Sequence, residues 1–97
     1  MIRVVIEQTG VEHRVTVAGH AGYAEAGKDI VCAGVSSLFV ALCEAAQRDG
    51  ALREVLDEEN AKRAYIYRTK AAGHYINMFR AGVLALQREY DEYVVLE

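Results

Sequence analysis

Proline is absent from the 97 residues, and the chain carries no repeat, linker or low-complexity segment. A chain this short has no room for a second hydrophobic core, so residues 1–97 are expected to form one domain. Cysteine is scarce, at positions 32 and 43 only. If both sit on one helix, their separation of eleven positions spans about 16 Å, beyond the reach of a disulfide. Both are therefore expected as thiols, in keeping with a reducing cytosol. Basic charge is not in surplus: the formal net charge is −3, with both signs mixed along the chain. Without a basic stripe, nucleic acid is excluded as a partner. No apolar run approaches the ~20 residues of a membrane span, and "MIRVVIEQTG" lacks the pattern of a signal peptide. No membrane partner and a cytoplasmic location are expected. A domain of this length buries only roughly 60 to 65% of its unfolded surface, which makes a homodimer the expected state.

About half of the composition is apolar, and its arrangement indicates the elements. "IRVVIEQ" and "HRVTVAG" are rich in β-branched residues around a glycine-bearing "TGVE", which predicts a hairpin over residues 2–8 and 13–19. Residues 20–29 have no sustained period and are expected to be an irregular, mobile loop with Gly22 and Gly27 as hinges. Val31, Val35, Leu38, Leu42 and Ala45 then recur at helical spacing behind Asp29, a competent N-cap, and the helix is expected to end near Gly50. "LREVLDEE" and "AKRAYIYRT" predict a second hairpin through the acidic turn 58–60, although the first of them also reads as a helical turn. Ile76, Phe79, Val83, Leu86 and Tyr90 mark a second helix, and "YVVLE" a short closing strand. The order ββαββα(β) implies a two-layer α+β fold: a small, mainly antiparallel sheet with two helices packed on it.

The chemistry concentrates in "GHAGYAEAGKDIVCAGVSSL". Gly22, Gly27 and Lys28 match phosphate-loop spacing, but Asp29 stands where that motif needs Ser or Thr, and its carboxylate would repel phosphate. His13, His20, His74, Cys32 and Cys43 have none of the spacings of a zinc site, so neither a metal nor a cofactor is expected. A thiol nucleophile with a histidine base fits better. Cys32 falls in the first helical turn at the margin of the buried face, where unpaired N–H groups and the helix dipole favour thiolate. Those N–H groups are also candidates to receive an oxyanion. His20, at the end of the second strand, is placed to accept the thiol proton if the loop folds back. The plainer readings of these two residues are a small core side chain and a surface imidazole. Cys43, His13 and His74 read as structural or surface residues.

The run "GHAGYAEAGKDIVCAGVS" resembles the signature of the ribosomal-processing cysteine protease family Prp: G-H-A, a glycine-containing loop, then G-x-D-I-V-C-A and V-S. The resemblance implies a small homodimeric endopeptidase that removes the N-terminal extension of bacterial large-subunit ribosomal protein twenty-seven, cutting after an aromatic residue. It makes His20 and Cys32 the catalytic dyad and matches Asp29 and Ser36 to family positions. Asp29 then either orients His20 or caps the helix, and Ser36 either binds substrate backbone or faces solvent. A phage-encoded relative acting on capsid or scaffold proteins and a non-catalytic peptide-binding module share the pattern. So does a thioesterase-like enzyme.

Overall fold

The computed structural model describes residues 1–25 and 27–97. Strands β1 (Ile2–Gln8) and β2 (Glu12–Ala18) form an antiparallel hairpin with Val4 opposite Val17 and Ile6 opposite Val15. Helix α1 (Ile30–Arg48) follows, then a second hairpin of β3 (Leu52–Glu58) and β4 (Ala61–Tyr67), helix α2 (Ala72–Glu89) and β5 (Val94–Leu96). "LREVLDEE" is thus a strand. The fold is the α+β arrangement expected from the sequence, with sheet order β3-β4-β2-β1-β5. All pairings are antiparallel except β1 with β5, which run parallel with Ile2 opposite Val94.

Because side chains alternate along a strand, one register assigns a face to every residue. The fully buried strand residues Ile2, Val4, Val15, Ala64, Ile66 and Val94 all share one face. Against it α1 buries Val31, Val35, Phe39, Leu42 and Ala46, and α2 buries Ala72, Ile76, Phe79 and Val83. The buried stripe of α1 lies one residue beyond part of the expected one: Phe39 and Ala46 take the places assigned to Leu38 and Ala45. Leu38 instead faces α2 and seats against Gly82, where an added Cβ would come 2.8 Å from its Cδ2. Leu86 of α2 seats the same way against Gly34 of α1. The two glycines let the helix backbones approach, and each leucine fills the notch of the other helix.

One expectation about composition needs correcting. With 19 residues and a mean hydropathy of 1.7, α1 is long and apolar enough to cross a membrane. Its apolar residues go two ways in this fold, into the core and onto an outer face that leaves Ile30 and Val40 exposed.

Candidate active site

Three elements meet at one corner. Ala18, the last residue of β2, pairs with Ala61 at the start of β4. One residue further, Gly19 N–H donates to the Asn60 carbonyl at 2.8 Å. Gly19 has φ +88°, and a Cβ there would stand 2.5 Å from the Met1 carbonyl oxygen, so only glycine fits this exit from the sheet. His20 therefore leaves the strand beside the β3–β4 turn, and its Nε2 lies 3.1 Å from Asn60 Oδ1. An amide oxygen can only accept, so in this bond Nε2–H is the donor.

The chain then turns inward. Ala21 is buried in the core, and its N–H donates to Cys32 Sγ at 3.3 Å. The sulfur is thus held one residue from His20 by a backbone donor. Tyr23 pins the loop against the far end of the chain, its ring edge-on to Tyr90 and Tyr93 at centroid distances of 5.5 and 5.2 Å. Gly22 and Gly27, expected as hinges, both take positive φ, at +70° and +86°.

Of the two roles open to Asp29, the structure shows the cap. Its Oδ1 accepts from Val31 N at 3.0 Å and Cys32 N at 2.9 Å, and its Oδ2 accepts from Tyr23 N at 3.1 Å. His20 meets Asn60 instead. The cap also uses the N–H groups that the sequence reading assigns to an oxyanion, and it closes the helix start to a phosphate. The Cys32 N–H, with smaller help from Tyr23 and Ala24, holds the Asp29 carboxyl below its ordinary range. A carboxyl depressed in the folded state stabilises above its unfolded pKa of about 4, and that contribution disappears as pH falls through the folded value. The Tm difference between wild type and Asp29→Ala is therefore expected to be full at pH 6–7 and to close below about pH 4, as followed by thermal melts across pH.

His20, Cys32 and Ser36 line two adjoining clefts. One, of about 220 Å³, runs over Val17, Val35 and the acidic turn that includes Asp57 and Glu58. The other, of about 480 Å³, is bounded by Gly22, Ala24, Gly27 and Asp29. Ser36 is exposed one helical turn beyond Cys32. A half-buried cysteine on the rim between two open clefts leaves room for an extended chain that continues on both sides of the sulfur. Asn60 was not singled out in the sequence. Cys43 and His74 lie elsewhere on the helices and His13 on β2, and among the described residues no three His, Cys, Asp or Glu side chains could hold a metal ion.

The model of a family described as cysteine protease Prp matches residues 1–95. Among solved structures, the essential ribosomal-processing protease Prp of S. aureus with a covalently linked product peptide aligns with a TM-score of 0.85 at 22% identity. That alignment covers 100% of this chain and 98% of that one. Prp of S. aureus with a substrate peptide aligns at 0.74 and 23% identity over the same shares. A Streptococcus mutans protein aligns at 0.74 and 26% identity, covering 100% of this chain and 92% of its own. No curated protein matches.

Proposed function

The chain belongs to the cysteine protease Prp family, and on that premise we propose that it removes the N-terminal extension of bacterial large-subunit ribosomal protein twenty-seven in the cytoplasm. The S. aureus relative is a ribosomal-processing protease, crystallised with substrate and product peptides. In this chain Cys32 is the nucleophile and His20 the base, with Asn60 holding the imidazole. The observation that carries the reading is the Cys32 sulfur held by Ala21 N–H, next to a histidine whose Nε2 is already engaged by Asn60.

The steps follow from that geometry. As peptide binds, His20 Nδ1 takes the thiol proton and Sγ attacks the scissile carbonyl carbon. The tetrahedral adduct collapses by breaking the C–N bond, and the imidazolium gives its proton to the leaving amine. The thioester is then hydrolysed by a water that His20 deprotonates, which releases the carboxylate product and restores the thiol. Asn60, accepting from Nε2–H throughout, stabilises the imidazolium and leaves Nδ1 as the ring nitrogen that exchanges protons. This arrangement of cysteine, histidine and an amide recurs on unrelated protease folds.

The chain is proposed to act as a homodimer. The outer faces of the two helices leave Val40 57% and Met78 75% exposed, apolar surface that a second copy would cover. Incubation with the extended ribosomal protein, followed by mass spectrometry, tests the substrate. A single cut after an aromatic residue that frees the extension is expected. An intact substrate, in the presence of protein whose Cys32 still reacts with iodoacetamide, overturns the assignment.

A further inference from the structure

At the opposite end of the sheet, a third cleft of about 720 Å³ opens between the ends of β1 and β2, the β4–α2 connection and the first half of α2. β1 lines the one cleft with Ile2 and the other from Ile6 onward, which sets the two linings about 13 Å apart at ~3.3 Å per residue. His13, Arg68, Lys70 and Arg80 contribute to its walls, and Glu7 is the one carboxylate among the described lining residues. Glu7 is engaged by Arg14 Nε at 2.9 Å. Among the described residues no carboxylate lies within 4 Å of Arg68, Lys70 or Arg80. Three cations thus line one cleft with no ion-pair partner among the described residues, in a chain whose formal charge is −3.

Arg68 is fixed in place. Its Nη1 donates to the carbonyls of Thr9 and Gly10 at 3.3 Å each. The Gln8 amide oxygen, turned toward it, accepts from Nε at 3.1 Å and Nη2 at 2.7 Å. All these acceptors are neutral, so the guanidinium is positioned and its charge stays uncancelled. Thr69 is committed elsewhere, with its hydroxyl donating to Asp49 and accepting from Ala72 N. The field registers at His13, whose imidazolium is disfavoured first by burial and then by Arg68 and Arg80.

We propose that this cleft binds a phosphate-class oxyanion, with Arg80 and Lys70 as direct donors and Arg68 as a fixed positive charge. A dianion matches three cations better than a single carboxylate does, and guanidinium donors suit its oxygens. The cluster is compact, without the extended stripe a polynucleotide requires, so the occupant is phosphate itself or a phosphate ester on a small molecule. The site is separate from Cys32, and its occupancy does not depend on the proteolytic reading.

Titration of the intact protein with inorganic phosphate tests this, with the His13 ring followed by NMR at fixed ionic strength in chloride. Saturable binding is expected, with His13 titrating at higher pH when phosphate is bound, because an adjacent anion favours the imidazolium. Arg80→Gln and Lys70→Gln should each weaken phosphate about tenfold and leave peptide cleavage unchanged. Lys70 is exposed, so its substitution does not burden folding. A small phosphate ester binding as well as phosphate identifies the ester as the natural class. An unmoved His13, or phosphate affinity indifferent to both substitutions, overturns the proposal. So does a six-nucleotide RNA that binds far more tightly than phosphate, since it would make the cleft part of a nucleic-acid surface.

Discussion

Cys32→Ala is expected to abolish peptide cleavage, a fall in kcat/KM of at least about 10⁴-fold. His20→Ala should approach the same loss. The reason is chemical: without Sγ no thioester forms, and without the imidazole neither proton transfer has a carrier. The fold should persist, because Cys32 is only half-buried and His20 exposed. Folding of each variant is checked by Tm and cleavage by fragment mass. Cys43 is the internal control, since it is also a half-buried thiol on the same helix but takes no part in either cleft at Cys32. Burial, then the charge of Glu44, pushes its thiol up from the usual range. Cys43→Ala is accordingly expected to keep activity, and at pH 7 iodoacetamide should label Cys32 at least about tenfold faster than Cys43. Residual turnover by Cys32→Ala, or equal labelling of both thiols, would remove Cys32 from the role of nucleophile.

How much of this was legible in the sequence follows from the range of the interactions involved. Local signals carried far: β-branched runs gave the first hairpin, the acidic turn 58–60 pointed to the second although "LREVLDEE" also read as a helical turn, helical spacing gave α1 and α2, and Asp29 before Ile30 gave the cap. The G-H-A and D-I-V-C-A runs placed His20 and Cys32 at one corner because only twelve residues separate them. What stayed hidden depends on register between distant strands. Asn60 reaches His20 because β2 pairs with β4 so that Ala18 meets Ala61, and nothing in the residues between 19 and 60 encodes that alignment. Ala21 N–H on the sulfur and Tyr23 against Tyr90 and Tyr93 are likewise products of how the loop closes, which composition does not give. The exchange of Leu38 for Phe39 in the core has the same origin. Both are apolar on adjacent helical positions, and only the position of α2 decides which faces the sheet. The assignment of the first-turn N–H groups to an oxyanion failed for a local reason: a cap that satisfies those donors removes them from other use.

Asn60→Ala is expected to lower kcat by about tenfold to a hundredfold with little change in KM. The substitution is unusually clean. The Asn60 carbonyl, which holds Gly19 N–H at 2.8 Å, belongs to the backbone and survives it, so the exit of β2 keeps its path. Asn60 is exposed in the β3–β4 turn, so Tm should hardly move. What is lost is the acceptor on His20 Nε2–H, and with it both the ring orientation and the stabilisation of the imidazolium that forms during each proton transfer. Asn60→Asp separates this from a merely structural role. It restores an acceptor at nearly the same position and adds a negative charge, which favours the protonated ring. Activity should therefore recover substantially while both limbs of the pH–rate profile move to higher pH. Wild-type kcat in Asn60→Ala, or a loss confined to KM, would show that the imidazole is held by something other than the turn.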